Sequence, residues 1–128
     1  MWNSSIVIAH LRHLSTVCDR VSASRDLSVI TIEGVVLPPG WNRAHTRMKV
    51  ELPEDYPLSP PGVNGNLTRI LVEAGLRYRG YKPADYYEGH QWAPPGWAWW
   101  CYQKMEWNPG HDNLVSLLEL VRTDMSKP

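Results

Sequence analysis

Apolar residues near the start of the chain recur at spacings of four and three. They are Val7, Leu11, Leu14, Cys18 and Val21. Because residues at these spacings share one face of a helix, the pattern predicts an N-terminal amphipathic helix. Ser4 or Ser5 is suited to cap its start. Cys18 belongs to the apolar face, so we expect it to be buried as an inert thiol.

Two strand-like segments follow. Residues 27–37 are rich in Val, Ile and Thr and end at a Pro-Pro-Gly turn, and apolar and charged residues alternate along residues 46–52. The short turn between them predicts an antiparallel meander. Residues 63–73 hold one more short element, whose period fits either a strand or a helix.

Residues 75–100 show no regular period. They contain four glycines and three prolines, Gly75, Gly80, Gly89, Gly96, Pro83, Pro94 and Pro95. We therefore expect a long irregular loop, which in a small domain is usually functional.

The last segment predicts a helix. Its apolar residues follow the spacing i, i+3, i+4, i+7 at Leu114, Leu117, Leu118 and Val121. A Pro-Gly turn precedes it, and Asp112 is a plausible N-cap.

Composition narrows the function. The 128 residues predict a single domain, 1–128, and 43% of them are hydrophobic, enough for a packed core. Zero net charge gives no sign of a general nucleic-acid or membrane binder. There is no apolar run of the ~18 residues that a membrane span needs, and the start lacks a signal-peptide pattern, so we expect a cytoplasmic protein with reduced cysteines. The basic stretch from Arg69 to Lys82 is read as a solvated loop with paired charges, with a docking face as the alternative.

The candidate chemistry lies in the most aromatic part of the chain. Cys101 follows Trp99 and Trp100 and precedes a Trp-x-Pro motif at 107–109. Upstream, the second predicted strand runs into a proline-rich segment at 53–61. Proline removes backbone donors and fixes φ, so that segment predicts a stiff loop.

In this order the elements resemble the ubiquitin-conjugating (E2) enzymes. In that family a central strand runs into a Pro-x-x-Tyr-Pro-x-x-Pro-Pro segment, and then come the cysteine, a Trp-x-Pro motif and a long central helix. The matching scaffold residues here are Pro53, Tyr56, Pro57, Pro60, Pro61, Trp107 and Pro109. The resemblance spans roughly residues 27–124. It implies an α+β, ubiquitin-conjugating (UBC-like) fold with an N-terminal helix, an antiparallel β-meander, a long active-site loop and one central C-terminal helix, truncated after that helix.

The resemblance also implies an activity. Cys101 would form a thioester with the C-terminus of a partner protein and transfer that acyl group to an amine, without a cofactor. The compact chain is most similar to the stand-alone E2-like proteins of short type II CBASS anti-phage operons. There the implied partner and acyl donor is a cGAS/DncV-like nucleotidyltransferase, a cyclic-oligonucleotide synthase, and target proteins would supply the amine. An E2 of a bacterial ubiquitin-like conjugation operon is the second reading.

The chain departs from the family before the cysteine. The family's His-Pro-Asn is replaced by His90-Gln91-Trp92, so the amide that helps to stabilise the oxyanion is missing. Supporting or oxyanion roles are open to His90, Gln91, Asn108 and His111.

Several alternatives compete with a thioester carrier. A non-catalytic scaffold of the same fold would bind a partner without carrying an acyl group, and a Cys–His hydrolase needs only Cys101 and a distant histidine. A zinc site built from Cys101, His90, His111 and Asp112 matches no ligand spacing, so we expect no metal. The clustered tryptophans Trp97, Trp99 and Trp100 form either a docking surface or packing against the central helix. His10 and His13 are expected to face solvent.

Overall fold

The computed structural model describes residues 4–128. These residues form two α-helices, six β-strands and one 3₁₀ turn at Asn64–Asn66. In chain order the elements are α1 (Ser4–Ser15), β1 (Arg20–Ala23), β2 (Val29–Val36), β3 (His45–Glu51), β4 (Ile70–Glu73), β5 (Tyr86–Glu88), β6 (Trp97–Trp100) and α2 (Leu114–Met125).

The six strands form one antiparallel sheet in the order β1-β2-β3-β4-β6-β5. The first four strands are a meander, and the predicted antiparallel pair corresponds to β2 and β3. After β4 the chain forms the edge strand β5. It then returns as β6, which lies between β4 and β5 and pairs with both. The protein is therefore an α+β protein, and β6 lies inside the sheet.

One face of the sheet is covered by both helices. Alternate residues of the inner strands, such as Ile70, Val72 and Trp100, are buried in one core with residues of α1 and α2. Leu14 and Val121 are among the helical residues that fill this core. The opposite, outer face carries a second and smaller cluster around Trp99.

The first helix is shorter than predicted. It ends at Ser15, and Val21 lies in β1. Cys18 lies in the connection between them, where it is half-buried and burial raises the pKa of its thiol. The apolar spacing continued beyond the helix because Val21 of β1 also packs against the core. His13 is exposed as expected, but His10 is half-buried and pairs with Tyr56 at 2.7 Å between Nδ1 and the hydroxyl.

The predicted irregular loop at 75–100 is wrong in two places, because it contains β5 and β6. The four residues Trp97–Trp100 are a short, uniformly apolar run after a Pro-Pro-Gly turn, so no alternation marked them as a strand, although tryptophan is common in strands. Their strand state depends on pairing with β4 and β5 on either side. The ambiguous segment 63–73 contains the 3₁₀ turn and then β4.

The predicted N-cap of the last helix is one residue away from the actual one. The side chain of Asn113 accepts hydrogen bonds from the backbone N–H groups of Val115 and Ser116, and the Ser116 hydroxyl completes a capping box. Asp112 instead accepts the backbone N–H of Asn108 at 2.7 Å and closes the preceding turn.

Candidate functional site

The proline-rich segment and the Trp-x-Pro motif are joined in the fold. The indole N–H of Trp107 donates to the carbonyl of Pro57 at 2.7 Å, and the rings of Tyr56 and Trp107 lie 6.1 Å apart. Tyr56 is 1% exposed, follows the buried Pro53 and precedes a cis peptide bond to Pro57. Its burial raises the pKa of the phenol.

The remaining scaffold prolines lie around this junction. The carbonyl of Pro60 accepts the side-chain amide of Asn66 at 2.7 Å, and Pro61 is buried. Pro109 is exposed in the turn that leads to α2. The sequence-predicted scaffold residues thus support the loop between β3 and β4 and the start of the last helix.

Cys101 is the first residue after β6. Its backbone N–H donates to the carbonyl of Asp85 at 2.9 Å, which extends the pairing of β5 and β6 by one residue. Cys101 is buried, with only 7% of its surface exposed. Alternation along β6 turns Trp99 and Cys101 toward the outer face, where the chain between β5 and β6 packs over them.

The surroundings of Cys101 disfavour its thiolate. Burial raises the pKa of the thiol, and the negative charge of Asp85 raises it further. The side-chain amide of Gln103 lies 3.5 Å from Sγ and acts in the opposite direction. The thiol is therefore protonated at neutral pH, and any reaction requires removal of its proton.

One side of Cys101 borders an open cleft of about 420 Å³. The cleft runs between the turn before β5, the segment after β6 and the end of α2. Its lining includes Asp85, Gln103, Lys104, Asp124 and Lys127. The cleft therefore brings carboxylates, an amide and amines together beside the thiol.

The far wall of the cleft is tied to the residue after Cys101. The Tyr102 hydroxyl donates to the carboxylate of Asp124 at 2.6 Å and accepts the indole N–H of Trp100 at 3.2 Å. Burial, followed by the Asp124 hydrogen bond, raises the pKa of Tyr102. This link holds the last turn of α2 against the end of β6.

The four predicted supporting residues do not surround the thiol. His90 packs against Trp99, Gln91 and His111 are exposed, and the side chain of Asn108 accepts the backbone N–H of Gly110. Within the part of the chain that the structure describes, none of them hydrogen-bonds to Cys101. The amide nearest to Sγ belongs to Gln103, which sequence reasoning missed, although its position two residues after the cysteine was a usable signal.

The structure also bears on the zinc alternative and on the basic stretch from Arg69 to Lys82. Among residues 4–128, no group of three or more His, Cys, Asp or Glu side chains is arranged to hold a metal ion, so the zinc alternative is not supported by geometry. In the basic stretch, Arg69 and Arg77 are paired with Glu51 and Glu88 at 2.7 and 2.8 Å, so the expected pairing of charges is present. The expectation of a solvated loop is wrong for the start of the stretch, because it contains the buried strand β4.

The tryptophans divide between the two faces of the sheet. Trp100 packs in the core beneath the helices, whereas Trp99 lies in the outer cluster. The ring of Trp97 lies on the outer side under the cations of Arg47 and Lys49, at 4.9 and 4.6 Å. Of these three tryptophans, only Trp100 packs in the core with the helices, as one of the two predicted alternatives required.

The longest helices between residues 4 and 128 have twelve residues, and no helix in this range is both long and apolar enough to cross a membrane.

Comparison of the chain with models of protein families, with curated proteins and with solved structures finds no match. The functional argument therefore rests on the residues and the geometry of this chain.

Proposed function

We propose that this protein is an E2-like acyl carrier with a UBC-like fold, acting in the cytoplasm in bacterial anti-phage defence. Cys101 accepts the activated C-terminal carboxyl group of a partner protein as a thioester and passes it to an amine. The proposed donor is a cGAS/DncV-like nucleotidyltransferase. The observation that carries the proposal is the position of Cys101 at the end of β6, bordering the cleft beside Asp85 and Gln103.

The joined motifs support the same reading. The proline-rich segment and the Trp-x-Pro motif are about fifty residues apart in the chain, yet Pro57 and Trp107 share a hydrogen bond. A scaffold that fixes both segments holds the end of β6 and the start of α2 in one arrangement. Rigid support of this kind is what a loop-borne nucleophile needs.

The reaction has two steps. In the first, the Cys101 thiol loses its proton to solvent, its sulfur bonds to the activated carbonyl carbon, and the bond to the leaving group breaks. In the second, an amine attacks the thioester carbonyl, the C–N bond forms, the C–S bond breaks and the thiolate regains a proton. The carboxylate of Asp85 is suited to orient a protonated amine in the cleft and to accept a proton from it.

A raised thiol pKa is compatible with this role. A thiolate of higher pKa is the stronger nucleophile once formed, although less of it is present at neutral pH. Such a thiol is inert toward adventitious electrophiles and reacts when a bound partner presents an activated carbonyl group.

The test uses the chain and its donor together. The protein is co-expressed with a cGAS/DncV-like nucleotidyltransferase, and adducts are separated on a non-reducing gel. We expect a thiol-sensitive adduct for the native chain, a more stable oxyester for Cys101→Ser and no adduct for Cys101→Ala. Cys18→Ala is the matched control, because it removes the other cysteine and should leave the adduct intact. An adduct that persists in Cys101→Ala would overturn the proposal.

A non-catalytic scaffold is the second candidate, and the burial of Cys101 favours it. A scaffold predicts that no adduct forms, while the complex with the partner purifies equally well with Cys101→Ala. An E2 of a ubiquitin-like operon predicts instead an adduct with a ubiquitin-like protein encoded beside it.

A further inference from the structure

The chain between β5 and β6 forms a strap over the outer face of the sheet. We define the strap as residues 89–96. It begins at Gly89 and ends at Gly96, whose φ angles are +64° and +85°. Both glycines therefore use the left-handed region, which other residues enter only at a cost.

The strap covers Cys101. Its Ala93 is buried in the same small cluster as Leu71, Trp99 and Cys101. The ring of its Trp92 lies 5.1 Å from the ring of Trp99. With the strap in this position Cys101 is only 7% exposed.

Two hydrogen-bond donors lie beneath the strap. The indole N–H of Trp99 is buried and has no hydrogen-bond partner within residues 4–128, and Trp99 is 7% exposed. The guanidinium of Arg69 donates from Nη1 to the carbonyl of Trp92 at 2.8 Å, and Glu51 holds it in position. An unpaired buried donor costs free energy, so the indole N–H of Trp99 would gain from donating to a bound group.

We propose that the strap is a displaceable cover, and that the surface beneath it binds the C-terminal tail of the acyl donor. The tail replaces the strap, its backbone carbonyls accept the N–H groups of Arg69 and Trp99, and its end lies at Cys101. The occupant is a peptide because the guanidinium of Arg69, which lies beneath the strap, already donates a hydrogen bond to a backbone carbonyl. This inference rests on the proposed function and adds a division of the site: the donor tail binds on the strap side and the amine enters through the cleft.

Opening of the strap is tested by the accessibility of Cys101. In a Cys18→Ser background, the rate of labelling by a maleimide carrying a 5-kDa polyethylene glycol, roughly the size of a small protein domain, reports on opening. Gly89→Ala strains the closed strap and should raise this rate about 5- to 30-fold, the range expected for one left-handed alanine.

Gly34→Ala is the matched control. Gly34 has a φ of +67°, close to the +64° of Gly89, and an added Cβ meets nothing within 4 Å at either position. It lies in β2 and imposes the same backbone strain away from the strap. Equal labelling rates for Gly89→Ala and Gly34→Ala would show that the strap does not move and would overturn the inference.

The tail site is tested with a synthetic peptide thioester as the donor. The Cys101 sulfur attacks the thioester carbonyl, the small thiol leaves, and the acyl-enzyme is measured by mass spectrometry. Trp99→Phe keeps a ring but removes the N–H. It should slow acylation by roughly 3- to 10-fold, the effect of one lost hydrogen bond, and leave maleimide labelling unchanged.

Two outcomes are decisive here. Acylation of Trp99→Phe at the native rate would overturn the role of the indole N–H. An equal loss in acylation and in maleimide labelling would mean that Trp99 contributes only packing. Failure of the proposed function gives a different result, because an adduct that survives Cys101→Ala leaves the labelling comparison between Gly89→Ala and Gly34→Ala unaffected.

Discussion

At the scale of single residues, the chemistry of this protein depends on the state of one thiol. Cys101 is held protonated by burial and by the charge of Asp85, and the amide of Gln103 only partly offsets them. Because its pKa is raised in the folded chain, ionisation opposes folding, and the contribution of this group to stability is lost as the pH rises above its ordinary value of 9.0. As the pH rises, the Cys101 thiol therefore becomes more reactive while the folded protein becomes less stable.

Removing the charge of Asp85 should make Cys101 more reactive near neutral pH. In a Cys18→Ser background, Asp85→Asn removes one of the two causes that raise the pKa of the thiol, so alkylation by iodoacetamide at pH 7–8 should accelerate. The two rates should converge at high pH, where both thiols are ionised.

The pH profile of alkylation is the measurement, and Glu106→Gln is the control. Glu106 is an exposed carboxylate five residues after Cys101 that does not contribute to the shift. An unchanged profile for Asp85→Asn would contradict the electrostatic account of the thiol.

At the scale of elements, the start of α2 is set by side-chain capping. Asn113 accepts two backbone N–H groups, from Val115 at 2.9 Å and Ser116 at 3.0 Å. The first N–H groups of a helix have no partner within the helix, so a capping side chain decides where the helix begins. The neighbouring Asp112 has the right chemistry but already closes the turn with Asn108.

Asn113→Ala should therefore lower the free energy of unfolding by about 1 kcal/mol, the usual cost of a lost N-cap. Asn113→Ser retains an oxygen acceptor and should recover most of this loss. Urea denaturation followed by circular dichroism measures both variants. Equal destabilisation by alanine and serine would mean that the Asn113 side chain does not act as the cap.

At the scale of the whole molecule, a few long-range hydrogen bonds hold the elements around the site. Trp107 donates to Pro57, Tyr102 donates to Asp124, and the indole of Trp41 donates to the carbonyl of Met125 at 2.9 Å. Each bond joins the region of the sheet or its loops to the segment that contains α2. The position of the cleft depends on these connections, because it lies between the sheet edge and the end of α2.

Trp107→Phe should weaken this connection. The carbonyl of Pro57 loses its donor, and we expect a loss of about 1–3 kcal/mol in the free energy of unfolding. Thermal and urea denaturation measure the change. The control is Trp97→Phe, since Trp97 is partly exposed and its indole N–H has no hydrogen bond to another residue in the range 4–128. A loss no greater than that of the control would contradict a structural role for the Trp107–Pro57 bond.

The sequence by itself determined the elements whose signal is local. The alternation of residues 46–52 and the helical spacing from Leu114 to Val121 lie within β3 and α2 to within a few residues. Both patterns were readable because each element buries one face, and burial of one face imposes a fixed period on the chain. The order of the proline-rich segment, the cysteine and the Trp-x-Pro motif likewise singled out Cys101, Pro57 and Trp107.

Only the tertiary structure decided how those residues meet. The strand state of Trp97–Trp100 depends on partners on both sides, and the burial of Cys101 depends on the strap at 89–96. His10 reached the hydroxyl of Tyr56 across 46 residues of sequence, which no local pattern indicates. Contacts between distant segments are set by how the faces pack together, and a one-dimensional period contains no information about which faces meet.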